Sequence, residues 1–245
     1  MSEVLLEVDR IAKRYGGVQA VKELSFTLRR GEILGLLGPN GAGKTTAFNM
    51  IAGFVSADQG RITLAGRDIR GLKPWNICQA GIARTFQLSK PFGGMTTHEN
   101  LVVGSFMRTH DRARSEAKAD ELLDFLGLTA LADADAEDLT AFERRKVELG
   151  RALSTDPVLL LMDEVVAGAT PQEALAMVEL VKRVHQRGVT VLIIEHVMKV
   201  IMGLSHRVIV MHHGELIADG EPADVVRQPE VLKAYFGDDY VDAGA

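Results

Sequence analysis

Residues 33–46, Ile-Leu-Gly-Leu-Leu-Gly-Pro-Asn-Gly-Ala-Gly-Lys-Thr-Thr, narrow the possible folds of this chain more than any other stretch. An apolar run over 33–37 reads as a buried strand, a glycine-rich loop follows, and a helix continues over 45–51. Within the loop, Gly38, Gly43, Lys44 and Thr45 match the spacing G-x-x-x-x-G-K-[ST] of a phosphate-binding loop. Glycines let successive N–H groups turn inward toward phosphate oxygens. The helix start adds unpaired donors and a favourable dipole for an anion. Lys44 suits β- and γ-phosphates and the Thr45 hydroxyl suits Mg²⁺, so Pro39, Asn40, Gly41, Ala42 and Thr46 join them as expected contacts of a nucleoside triphosphate.

Such a loop demands an α/β core, and the rest of the chain supplies one. Residues 4–8 and 20–28 read as strands, with Tyr15 between them beside Gly16 and Gly17. That ring suits either packing on the sheet or stacking on a nucleotide base. Residues 61–64 and the turn after them suggest a hairpin. Residues 83–86 form a short strand that ends at Gln87. From Pro91 to Asp138 the periodicity turns helical, over 97–107 and 113–126. His98, His110, Asp111 and Glu116 there show no metal-ligand spacing and suit a solvated face. Thr140 and Glu143 make a capping-box pattern at the head of a helix that runs to about Ser154.

Residues 158–162 are apolar on both faces, as in the centre of a parallel sheet, and deliver Asp163 and Glu164 at the strand end. An amphipathic helix follows through Met177, Val181 and Val184. Residues 189–194 form another buried strand, ending in Glu195 and His196. Two strands around Gly214 and two short helices, 222–227 and 230–236, complete the chain, with a frayed tail over 238–245. Alternating strands and helices imply right-handed crossovers.

Of 245 residues, 47% are hydrophobic and the net charge is −5, which gives ample core and argues against a nucleic-acid-coating protein. Cys78 is the single cysteine, which excludes an internal disulfide framework and suits a reducing cytosol. The longest apolar runs are strand-sized and the first residues lack a secretion signal, so a soluble protein is expected.

Downstream of a phosphate loop, Asp163 suits a Mg²⁺ ligand and Glu164 a general base that polarises water. His196 suits a hydrogen bond to the γ-phosphate or the water. Together these residues resemble the nucleotide-binding subunits of ABC transporters, over residues 4–237. Within that family, Ala83-Arg-Thr-Phe-Gln87, Ile194-Glu-His196 and Ala234-Tyr-Phe-Gly237 are most similar to ATP-binding subunits of branched-chain amino acid importers; amide and urea importers share them.

The resemblance implies a P-loop NTPase core (1–87 and 155–245) with a mainly parallel sheet, an N-terminal antiparallel β subdomain and an inserted helical subdomain over about 88–154. It implies Tyr15 as the adenine-stacking position, Gln87 as the Q-loop residue and a further Mg²⁺ contact, and Glu164 and His196 as catalytic. It further implies two cassettes that sandwich two ATP molecules, two membrane permease subunits, a substrate-binding protein, and a place on the cytoplasmic face of the membrane.

Departures from the family pattern bear on that expectation. Thr140, Ala141, Phe142 and Glu143 occupy the signature that acts on a partner's ATP. Phe142 replaces a glycine that admits the γ-phosphate, and Glu143 puts a carboxylate where glutamine is usual. Val165 replaces a proline, and residues 167–170 lack the terminal Asp or Asn of a D-loop. A heterodimer with one competent and one weaker site is expected. The competing readings are a regulatory subunit with little hydrolysis, a soluble ATPase of DNA repair or translation, and a transporter ATPase for another cargo.

Overall fold

The computed structural model describes residues 3–86 and 90–237. They fall into two compact units, 1–77 with 190–245 and 78–189. In the first unit, β1 (Val4–Tyr15) and β2 (Val18–Arg29) form an antiparallel ribbon around the Gly16-Gly17 turn. Leu5, Leu6, Val8, Ile11, Val21, Leu24 and Leu28 are buried along it, and register shifts in the ladder break the strict alternation of a half-buried sheet. After β3 (Ile33–Leu37) and α1 (Lys44–Ile51) come β4 (Gln59–Leu64) and the two-residue β5 (Arg67–Asp68). The antiparallel sheet has the order β2-β1-β4-β5. The chain then runs through α2 (Pro74–Ala80).

In the second unit, β6 (Ile82–Arg84) precedes α3 (Thr97–Ser105), α4 (Arg112–Leu126) and α5 (Ala141–Ser154). These three helices pack on one another through Leu101, Ala119, Leu122, Leu126, Val147 and Gly150. β7 (Leu159–Asp163), buried throughout, pairs parallel to β6, and α6 (Pro171–Gln186) follows. This unit spans 78–189, where the sequence reading set a helical insertion over about 88–154.

Back in the first unit, β8 (Thr190–Ile194) leads to α7 (Met198–Leu204), β9 (Arg207–His212) and β10 (Glu215–Gly220). Helices α8 (Pro222–Val225) and α9 (Pro229–Phe236) end the described chain. β3 lies between β8 and β9, parallel to both, and β10 runs antiparallel to β9. All five residues of β3 and of β8 are buried, so a continuous apolar run rather than alternation marks these strands. Helices α2 and α7 were not expected. The strand expected over 83–86 ends at Arg84, and residues 238–245 lie outside the described residues.

Candidate functional site

The phosphate loop is assembled where β3 ends. Gly38 and Gly43 have φ of 144° and 101°. A Cβ on Gly38 would run into the Met211 carbonyl oxygen, and one on Gly43 into that of Ala20. Close backbone approach and left-handed conformation both require glycine at these two points. Further along, the Ala42 N–H donates to the Pro39 carbonyl (3.2 Å), and the Ala42 carbonyl accepts from Gly214 N–H (3.0 Å). Gly214 accepts in turn from Lys22 N–H at 2.7 Å. Neighbouring backbone thus fixes part of the curve of residues 38–43.

Lys44 opens α1 and is only 6% exposed. Its ammonium donates to the carbonyl oxygens of Gly38 (2.6 Å) and Pro39 (3.0 Å), which holds a positive charge inside the loop. No side chain caps the head of α1; α3, α5 and α6 begin with capping boxes, while α7, α8 and α9 share the lack of a side-chain cap. The first-turn N–H groups of α1 and its positive dipole end suit an anion. Thr45 is exposed and Thr46 half-buried in this first turn.

Tyr15 ends β1 and is 48% exposed, and the Lys13 ammonium stands 5.6 Å from the ring centre. Lys13 is itself paired with Asp58 at 2.7 Å. Half exposed at the end of β1, Tyr15 fits both expectations, packing on the sheet and stacking on a base. His196 is exposed, two residues beyond β8.

In the other unit, Asp163 ends β7 and is 6% exposed. Its carboxylate accepts from the Arg84 guanidinium at 3.0 Å, across the β6–β7 ladder. Glu164 follows with φ of 49°, in a region that residues other than glycine seldom enter. Holding it there costs about 1–2 kcal/mol, a strain that tends to gather at working sites. Glu164 borders a cavity of about 10 Å³, room for one water, lined also by Thr85, Arg145 and Glu148. The Thr85 hydroxyl is buried there with no hydrogen-bond partner among the described residues. The Glu148 carboxylate accepts from Phe86 N–H at 2.7 Å, which anchors the chain just ahead of Gln87. Gln87 itself lies outside the described residues.

Thr140 is the N-cap of α5. Its hydroxyl accepts from Glu143 N–H (3.3 Å), and the Glu143 carboxylate accepts from Thr140 N–H (2.8 Å). Hydrogen bonds from Thr140, hydroxyl first and backbone second, hold the Glu143 carboxyl below the usual glutamate range. The charge that departs from the family pattern therefore folds back onto its own helix. Ala141 is exposed, and the Phe142 ring lies 5.2 Å from the Lys146 ammonium. Thr170 caps α6 through the same kind of box with Glu173, and Arg145 donates to the Ala167 carbonyl.

Three residues at these places escaped the sequence reading. Arg84 had a signal, since a cation within a short buried strand needs an anion beside it. Glu148, on the buried face of α5, had the same one in reverse. Tyr235, whose hydroxyl accepts from Gly38 N–H at 2.8 Å, lies in the stretch Ala234-Tyr-Phe-Gly237 that carries the family resemblance, but no role was read for it.

The family model described as "ABC transporter" matches residues 21–167, and one described as "Branched-chain amino acid ATP-binding cassette transporter" matches 215–241. The chain is 38% identical to the high-affinity branched-chain amino acid transport ATP-binding protein LivG of Salmonella typhimurium, over 97% of this chain and 100% of that one. It is 36% identical to the corresponding protein BraF of Pseudomonas aeruginosa at the same coverage. Among solved structures, it superposes on MJ1267, an ATP-binding cassette of an ABC transporter in its ADP conformation, with a TM-score of 0.88. That match has 33% identity and covers 97% of this chain and 100% of the other. A nucleotide-free cassette from an ABC transporter gives 0.87 at 33% identity, covering 96% and 100%.

Proposed function

This chain belongs to the ABC transporter family of ATP-binding subunits, and from that premise we propose that it powers import of branched-chain amino acids or of related amides and urea. It is an ATP-hydrolysing transporter subunit with a P-loop fold. The observation that carries the site assignment is the Lys44 ammonium, held inside the phosphate loop by the Gly38 and Pro39 carbonyls at the uncapped head of α1. Cation, inward N–H groups and helix dipole all favour a polyphosphate.

Each remaining residue takes one role. Residues 38–46 bind the phosphates and Tyr15 stacks on the adenine. Thr45 and Asp163 offer hydroxyl and carboxylate oxygens, the hard donors that Mg²⁺ takes, and Gln87 adds a third contact. Mg²⁺, when bound, neutralises charge on the phosphates. Glu164 takes a proton from the attacking water, and the water-sized cavity at its side is consistent with that duty. His196 orients the γ-phosphate. Thr140, Ala141, Phe142 and Glu143 face the ATP held by a second cassette.

Among the described residues no helix is long and apolar enough to cross a membrane. The chain works at the cytoplasmic membrane face, attached to two permease subunits that receive cargo from a substrate-binding protein. Its second cassette is a different subunit, because a homodimer would combine two signatures that carry Phe142 and Glu143. The test is steady-state ATP hydrolysis by the purified chain, alone and with its partner subunit, with Glu164→Gln as control. Turnover that is negligible alone, rises with the partner and vanishes in the control is expected. ATP binding with no turnover above the control in either preparation would replace the motor with a regulatory subunit.

A further inference from the structure

At Gly38 the chain leaves the sheet. Leu37 still pairs with Val210 of β9, but the next residue turns away into the loop, so its buried N–H needs an acceptor from elsewhere. That acceptor is the Tyr235 hydroxyl, 2.8 Å away and 197 positions distant in sequence. Tyr235 stands on α9 one helical turn after Val231, which is 2% exposed and docks the same helix face. On its other side the Gly38 carbonyl accepts from Lys44 at 2.6 Å. Gly38 is thus held through its N–H by the C-terminal helix and through its carbonyl by the lysine expected to meet phosphate.

The chemistry of the acceptor fits this place. A carboxylate would satisfy the N–H equally well but would repel a polyphosphate. Burial raises the pKa of the Tyr235 phenol above its ordinary value, so it stays neutral.

We propose that Tyr235 is a positioning residue of the phosphate loop, by which the C-terminal helix sets Gly38 and, through it, the Lys44 ammonium. The proposal rests on the nucleotide site assigned above. It also gives a physical role to the 215–241 segment that the branched-chain amino acid model matches.

Tyr235→Phe keeps the ring and removes only the acceptor. In the full chain without nucleotide, amide hydrogen exchange at Gly38 should accelerate about tenfold. In the assembled transporter, the KM for ATP should rise roughly 3- to 10-fold with kcat changed less than twofold. Phe236→Ala, on the exposed neighbour, should alter neither. Wild-type exchange at Gly38 and wild-type KM in Tyr235→Phe would overturn the proposal. Equal effects of both variants would do so too, by reducing the contact to general docking of α9. A wild-type chain that binds no ATP would overturn the underlying site instead, and the nucleotide-free exchange measurement separates the two failures.

Discussion

Replacing Phe142 by glycine together with Glu143 by glutamine rebuilds the usual signature and separates its structural cost from its functional gain. Phe142 and Glu143 lie in the first turn of α5. Glycine for phenylalanine costs about 0.5 kcal/mol in helix propensity. The contact between the ring and Lys146, at 5.2 Å, is worth about 0.5–1 kcal/mol. Glutamine keeps the reach back to Thr140 N–H but loses a charge at the helix head, worth about 0.3–1 kcal/mol. The double variant should therefore be less stable by roughly 1.3–2.5 kcal/mol, a fall in Tm of about 3–10 °C for a chain of this size. The charge component has a pH signature. Thr140 depresses the Glu143 carboxyl in the folded state, so its stabilisation is present above the unfolded value near 4.5 and is lost as pH falls through the folded one. Glu143→Gln alone should match wild type in acid and fall behind at neutral pH. Calorimetry of the chain and ATP turnover of the assembled complex decide the matter. Lower Tm with severalfold higher turnover is expected. Lower Tm with wild-type turnover would refute the idea that the signature limits the second site, and an unchanged Tm would refute the energetics worked here.

Three further outcomes follow from the same geometry. Glu164→Gln should cut turnover at least about 100-fold while leaving ATP affinity near wild type, measured by phosphate release and nucleotide titration. Gly43→Ala should abolish ATP binding and lower stability, because the added Cβ meets the Ala20 carbonyl at a φ of 101° that alanine resists; a variant with wild-type affinity would show that the loop tolerates the shift. Phe48→Ala, at a fully buried position on α1, should destabilise by about 3–5 kcal/mol in urea unfolding, with an unchanged slope.

Much of the fold was legible because its signals are local. The run 33–37 is apolar at every position and emerges as β3 with the same ends. Thr140 and Glu143 form the capping box that their spacing implies. Helices α2 and α7, seven residues each, had no such local signal read for them. Strand pairing of β6 with β7 joins residues nearly eighty positions apart, and no periodicity encodes that partnership.

At the site, the split is between groups whose role depends on neighbours in sequence and groups whose role depends on approach in space. The order Gly38 to Thr45 by itself determined a glycine-rich turn with a lysine at a helix head, because these are consecutive and backbone geometry follows from residue type. The pattern of Asp163 and Glu164 after an apolar strand likewise placed two carboxylates at a strand end. Only the tertiary structure decided what holds them. Arg84 reaches Asp163 from the neighbouring strand, Glu148 fastens the backbone ahead of Gln87, and Glu143 bends to its own helix head. Tyr235 closes on Gly38 from the far end of the chain. Contacts of this kind depend on which surfaces the packed core brings within about 3 Å of each other, and no sequence spacing records that.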